Sequence, residues 1–518
     1  MSEKQTPQRE ETAEALYERL KVLRAPYITR AENAAACTIP SLFPKEGSSS
    51  STDFPTPYQS VGARGLNNLA SKLILALMPP NSPFVKFSAS EKEKAAIAKL
   101  GDDSAAAKID NSLAMREQRI MRYCETHQIR VTVGEACKQL LVAGNGCLFL
   151  PPKEGGIKLY RLDSYVCERD ALGNVFTIVS LDQRSFASLP GDLKTLITKS
   201  GKSYKPESEI KIYTHVYLEG DQWASYQEIE GTEIPGSQQT YPIDKSPWIP
   251  IRMIKVDGES YGRGYIEEYQ GDLSSLEGLS KAIVQFAAIA SRIIYLVNPS
   301  GQTSMSAITK TETGGAASGR KDDITALTLD KYPDFQVTKG VADGIETRLS
   351  YAFLLNSAVQ RNGERVTAEE IRYVARELED TLGGIYSLLS VELQLPLARR
   401  IETQLEASGE MPPLPEGAVD IQITTGFEAL GRGRDLEKIK LFLEYLSMIP
   451  GAQQYLKIGE LLTMIGTGCT LDIKSILRDI QEVQAEQQQV ALQEALMKAA
   501  PQLASKFGEA QLQGGTGQ

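Results

Sequence analysis

Between Ile266 and Ile293 apolar side chains recur at Ile266, Tyr269, Leu273, Leu276, Leu279, Ile283, Phe286, Ala290 and Ile293, in steps of 3, 4, 3, 3, 4, 3, 4 and 3. This near-heptad seam constrains the chain more than any other stretch. An apolar stripe held along so long a helix must be covered lengthwise by another helix. Gly271 and Gly278 lie seven apart on the opposite side, where each costs about 1 kcal/mol relative to alanine. Close approach of a neighbour explains them, and so does tolerated flexibility.

Helical periodicity extends well beyond this element. Residues 10 to 25 place Ala13, Leu16, Leu20 and Leu23 on one face, and Pro26 is expected to end that helix. After the connection "EGSSSSTDFPTP" a second helix, "SVGARGLNNLASKLILALMPP", should stop at Pro79-Pro80, and residues 91 to 147 look helical. A further apolar helix is expected at roughly 341 to 357. Thr367-Ala368-Glu369-Glu370 then has the form of a capping box. The helix it opens carries Ile371, Val374, Leu378, Leu382, Ile385 and Leu389 and should reach residue 404, about 55 Å, kinked at Pro396 and weakened at Gly383-Gly384.

The period changes twice. From Ile157 to Val256 short runs such as "IKLYRL", "VFTIVSLD", "EIKIYTHVYL" and "WIPIRMIKV" alternate with turn signals, which predicts an antiparallel β-rich segment inside a helical protein. Residues 298 to 339 form a small loop-rich insert containing "TETGGAASGRKDD" and strand-like "ITALTLD" and "FQVTKG". One short strand, "VDIQITTG", follows "EMPPLPEG". From Phe427 the chain reads as helical again, ending in a Gln-rich stretch and "LQGGTGQ", which has a disordered composition. The fold class is α+β, mainly α, in several domains.

Composition removes many functions. With 56 Lys and Arg against 66 Asp and Glu the net charge is -10, which argues against gripping nucleic acid over a broad basic face. Six cysteines (Cys37, Cys124, Cys137, Cys147, Cys167 and Cys469) show no CxxC spacing and read as reduced thiols. The polar N-terminus carries no secretory h-region, and Ala282–Val297 is interrupted by Gln285, Ser291 and Arg292 and too short to span a membrane.

The two histidines, His127 and His215, have no partner at metal-ligand spacing and read as structural. "GGAASGRK" lacks the GK[ST] end of a phosphate loop, and "GESYGRG" lacks the third glycine of a dinucleotide turn and reads as a strand-to-helix turn. No catalytic residue, cofactor or metal is expected, and the chain does not read as an enzyme.

One polar excursion stands out. In "AVQRNGERVTAEEI" Arg361 and Arg365 flank Asn362-Gly363, a dipeptide suited to a tight turn. The residues alone favour a helix connection whose arginines pair with acids such as Glu364, over one that presents two cations to a ligand.

At "TIPSLFPKEG", "SVGARGLNNLASKLILALMPP", "DGESYGRGYIEEY" and "LLNSAVQRNGERVTAEEIRYVARELEDTLGGIYSLLS" the sequence closely resembles the portal, or head-to-tail connector, proteins of short-tailed double-stranded-DNA phages. The likeness runs in order from about residue 12 to about residue 440. It implies the phage portal fold assembled as a ring, expected to be a dodecamer, at one capsid vertex of the virion and put together in the host cytoplasm. Double-stranded DNA would pass through the central channel, driven in by terminase and later ejected. The further partners implied are a tail adaptor protein and the major capsid and scaffolding proteins.

On this chain the resemblance places a wing at 1–264, a first stem helix at 265–297 and a clip at 298–339. A second stem helix follows at 340–358, a tunnel loop at 359–366, a long wing helix and strand at 367–425, a helical crown at 426–500 and a flexible tail at 501–518. It assigns DNA contact in the tunnel loop to Gln360, Arg361, Asn362, Gly363, Glu364 and Arg365. It assigns partner binding in the clip to Lys310, Arg320 and Lys321. The competing reading is a structural tail-adaptor or scaffold ring that never touches DNA.

Overall fold

The computed structural model describes residues 11–49, 51–80, 83–93, 103–152, 155–198, 204–290, 294–301, 303–312, 315–316, 318–327, 332–355, 384–415, 417–423, 442–445 and 448. The chain divides into two compact units, 1–429 and 430–518. In the second, residues 442–445 are helical; the first holds the main core.

Its helices are α1 (Ala13–Ala36), α2 (Val61–Leu77), α3 (Asp103–Thr126), α4 (Ile129–Ala143), α5 (Gly191–Thr198), α6 (Tyr265–Glu268), α7 (Gln270–Ala290), α8 (Met305–Lys310), α9 (Tyr332–Ala352), α10 (Ile385–Leu389) and α11 (Leu395–Ala407). The N-terminus of α1 is capped twice. Thr12 accepts from the Ala15 amide at 3.2 Å, and the buried Glu228 carboxylate accepts from the amides of Ala13 at 2.8 Å and Glu14 at 3.2 Å. These bonds satisfy amides that have no intrahelical acceptor, and they set a negative charge at the positive end of the helix dipole.

Pro26 does not end α1, which continues to Ala36. Proline forfeits one hydrogen bond there, but Ala31, Ala34 and Ala35 beyond it are packed into the main core, and tertiary burial outweighs the lost bond. The second helix does stop before Pro79-Pro80.

The β-rich segment forms as expected, and is larger. Strands β1 (Val85–Ala89), β2 (Asn145–Phe149), β3 (Lys158–Tyr160), β4 (Tyr165–Arg169), β5 (Val175–Ser185), β6 (Glu209–Glu219), β7 (Gln222–Ile229), β8 (Thr232–Glu233), β9 (Gln239–Pro242) and β10 (Trp248–Arg252) precede β11 (Ile294–Val297), β12 (Ile324–Leu327) and β13 (Val419–Ile423). A six-stranded sheet runs β4-β5-β6-β7-β8 with β9 also on β7, and a three-stranded sheet runs β10-β2-β3. Val166, Val179, Tyr213 and Tyr226 of the larger sheet bury Leu16, Tyr17 and Leu20 of α1. Residues 145–147, expected to be helical, are instead the start of β2: Gly144 takes φ +72 at the end of α4 and turns the chain into the sheet.

The strand "VDIQI" pairs antiparallel with β1, Val85 opposite Ile423, so residues far apart in sequence close one edge of the body. A π turn, Ser390–Gln394, interrupts the helix ahead of α11, and Pro396 falls in the first turn of α11, where its missing amide costs little. The π turn puts the Glu392 carboxylate against Arg252, whose guanidinium donates at 2.5 Å and whose amide donates at 3.1 Å, with Arg169 at 3.6 Å. Gln394 donates to the Leu77 carbonyl at 2.7 Å and so closes the end of α2.

Candidate functional site

The seam helix is observed as α6 and α7, bent at Tyr269, and it does pair lengthwise with another helix. α7 and α9 pack along each other, with Phe286 stacked on Phe335 at 5.0 Å and Arg348 bridged to Asp272 at 2.9 Å. The bounds differ from the expected ones. α7 is described as far as Ala290, and Ile294–Val297, expected to be helical, forms a strand paired with Ile324–Leu327. α9 begins at Tyr332, so "FQVTKG" is helical, not strand-like. The insert therefore leaves and returns through a two-stranded ribbon.

Within the insert a buried polar knot holds the loop. Asp323 accepts from the Thr303 hydroxyl at 2.8 Å and the Thr303 amide at 3.2 Å, the Arg320 amide donates to the Thr303 hydroxyl at 2.7 Å, and the Asn298 amide reaches the Asp323 carbonyl at 2.9 Å. Gly301 sits where a Cβ would meet the Asp323 side chain at 2.6 Å. Lys310, which ends α8, and Arg320 are exposed, and Lys321 begins a single 3-10 turn. Arg320 and Lys321 are thus brought beside the knot. Thr303 and Asp323 escaped the sequence reading because they lie twenty positions apart, with α8 between them.

The six expected tunnel-loop residues, Gln360, Arg361, Asn362, Gly363, Glu364 and Arg365, and the capping box at Thr367 lie outside the described residues. The structure does define the anchorage from which that stretch departs. The "DGESYGRGY" motif is a strand-to-helix elbow. Its Ile254–Arg263 bridge leads into α6, and the Asn145 side chain bonds both the amide and the carbonyl of Gly262 at 2.7 Å. A Cβ on Gly262 would lie 2.8 Å from that of Arg252 and 2.9 Å from the Gly144 oxygen, so only glycine lets these backbones approach.

Arg263 bridges Glu259 at 2.6 Å and Glu267 at 3.0 Å, while Tyr27 of α1 donates to Glu259 at 2.8 Å. Arg263, followed by the Tyr27 hydrogen bond, holds the Glu259 carboxyl below its usual range. Burial first and then that hydrogen bond push the Tyr27 phenol up to about 12. The motif that carries the resemblance thus works as a joint fixing the hairpin to the body.

Several large apolar side chains of the hairpin and insert remain exposed: Val284, Ile289, Leu296, Ile308, Val337, Val341 and Tyr351. A Cβ built on Gly271, Gly278, Gly340 or Gly344 would meet nothing within 4 Å among the described residues.

Elsewhere the reactive groups are engaged structurally. His127 stacks on Tyr123 at 4.0 Å, and His215 bonds the Thr177 hydroxyl at 2.9 Å and Tyr226 at 3.3 Å. Cys37, Cys124, Cys137, Cys147 and Cys167 are buried free thiols, and burial pushes Cys124 and Cys137 up to about 12, far from thiolate reactivity. Among the described residues no group of three His, Cys, Asp or Glu could hold a metal, and no helix is long and apolar enough to cross a membrane. A cleft of about 760 Å³ beside α1 is lined by charges, including the pairs Lys21–Glu46, Arg161–Asp163 and Lys158–Asp182.

A mixed α+β body bearing an anchored helical hairpin, with apolar side chains and glycines facing outward, is the build of an assembly subunit. The chain belongs to the family of bacteriophage head to tail connecting proteins, whose profile matches residues 10–477. It is 49% identical to the portal protein of Escherichia phage T7 over 97% of this chain and 95% of that one. It is 50% identical to the portal protein of Enterobacteria phage T3, over 96% and 94%, and 30% identical to that of Enterobacteria phage SP6, over 94% and 95%. Its function is that of a head-to-tail connector, a portal protein of the short-tailed phage type.

Proposed function

We propose that twelve copies of the chain close into a ring at one vertex of the capsid, with the α7–α9 hairpins as stem around a channel for double-stranded DNA. Terminase drives the genome inward through it, and DNA later leaves the same way. The insert between the stem helices is the clip, and Lys310, Arg320 and Lys321 are its partner-binding cations, docking terminase and then the tail adaptor. Residues 1–264 and 367–425 supply the wing, met by the major capsid and scaffolding proteins, and 426–500 the crown. The protein is not an enzyme: the energy comes from the partner ATPase.

Residues 359–366 are the tunnel loop in this reading. A loop repeated about the axis carries Arg361 and Arg365 as a cationic collar beside passing phosphates. With a net charge of -10 on every protomer, the remainder of the lining repels DNA and lets it slide. The observation that carries the reading is 49% identity to a portal protein over 97% of the chain, which spans the hairpin, its joint and the arginine loop together. Replacing both arginines by alanine tests it. Rings should assemble as before while packaged DNA is retained less well. Unchanged packaging and retention refute the collar and favour a tail-adaptor or scaffold ring without DNA contact.

A further inference from the structure

The end of α9 is held from outside the helix. Leu355 and Leu354 donate back to the carbonyls of Ser350 at 2.8 Å and Tyr351 at 3.1 Å, closing the helix in a Schellman arrangement. The next three carbonyls lie beyond the helix's own hydrogen-bond ladder and are met from outside it. Tyr265 donates to Ala352 at 3.0 Å, Asn68 to both Phe353 and Leu354 at 2.9 Å, and Lys72 to Leu354 at 3.1 Å.

Gly65, Asn68 and Lys72 follow one another at steps of 3 and 4 on α2 and form one stripe. Gly65 lacks the Cβ that would collide with the Phe353 ring. Lys72 is 6% exposed, and a buried ammonium needs a strong acceptor. It finds one at the negative end of the α9 dipole. Leu354 takes φ +53, a left-handed conformation that a leucine adopts only where its surroundings impose it.

We propose that Gly65, Asn68 and Lys72 form a socket for Phe353 and Leu354 and act as positioning residues for the arginine-bearing stretch. They fix the point and direction in which the chain leaves α9. The functional half of this inference rests on the reading of residues 359–366 as a channel loop; the socket itself does not.

The test uses the assembled ring and DNA-filled particles. Lys72→Met and Asn68→Ala should raise amide hydrogen exchange of peptides covering 353–366 by about tenfold while exchange in the six-stranded sheet stays as it was. DNA retention should fall as it does for the Arg361→Ala/Arg365→Ala pair. Lys72→Arg, which keeps the cation, should restore both readouts, and Gly65→Ala, which leaves both donors in place, should reproduce the exchange increase. Unchanged exchange at 353–366, or a rise spread evenly over the whole chain, overturns the socket. Faster exchange at 353–366 with normal retention in the arginine pair supports the socket and refutes the collar.

Discussion

Replacing Arg116 by methionine should destabilise the first unit by about 3–5 kcal/mol, the usual loss when one partner of a buried ion pair is removed. Arg116 joins α3 to α11. It donates to Glu402 and Glu406 at 2.8 Å each and to the Pro412 carbonyl at 2.7 Å. The three side chains are 6%, 13% and 19% exposed, so solvent does not screen them as it does surface pairs, which contribute at most about 1 kcal/mol. Desolvation already holds the Glu402 carboxyl above its ordinary range, opposed by Arg116.

Without the guanidinium, Glu402 loses the group that opposes its desolvation while Glu406 stays beside it, and Glu402 should titrate higher still. A carboxyl raised in the folded state is penalised when ionised, so the penalty is present above its folded pKa and is relieved as pH falls through it. Denaturant midpoints of Arg116→Met measured at about pH 7.5 and about pH 5 should therefore differ less from wild type at the lower pH. Adding Glu402→Gln should recover part of the loss at the higher pH. A loss below about 1 kcal/mol, or the same loss at both pH values, refutes the reasoning.

Glu228→Gln should cost about 1 kcal/mol at the start of α1 by weakening a charged cap, read as faster amide exchange confined to residues 13–20. Gly262→Ala, which drives a Cβ into Arg252 and Gly144, should lower stability by about 1–3 kcal/mol and reduce the yield of soluble rings. Gly271→Ala and Gly278→Ala meet no atom among the described residues and should each stabilise the protomer by about 1 kcal/mol. If ring assembly falls at the same time, a neighbouring subunit approaches there; if assembly is unchanged, the glycines are tolerated flexibility. Glu259 has a lowered carboxyl, so its ties to Tyr27 and Arg263 stabilise the fold above its ordinary range and are lost as pH falls through its folded pKa. Glu259→Gln should flatten that acid limb in a stability–pH profile.

Helix and strand periods were legible wherever one face was buried and the other wet. The seam of α6 and α7 and the first half of β6, which alternates exposed and buried residues, are such cases. β2 was not, because "NGCLF" is buried almost throughout and carries no alternation. Pro26 misled because the packing that holds α1 beyond it comes from residues distant in sequence. "FQVTKG" misled because its local β-branched content yields to pairing with α7. The elbow at Gly262 and Gly264 was readable as a turn, though its cause, backbone contact with Gly144 and Val142, was not. The stripe Gly65–Asn68–Lys72 is visible on a helical wheel, yet its partner lies more than 280 residues away. Periodicity cannot find such a pairing.

The central claim is that the hairpins of this connector surround a channel into which the arginine stretch projects. A cryo-EM reconstruction of the purified assembly, viewed down its axis with DNA in the lumen, tests it most directly. The account predicts a closed ring of twelve subunits with Arg361 and Arg365 at the narrowest point of the bore, beside the phosphates. A monomer, or a ring with both arginines on its outer rim, contradicts it.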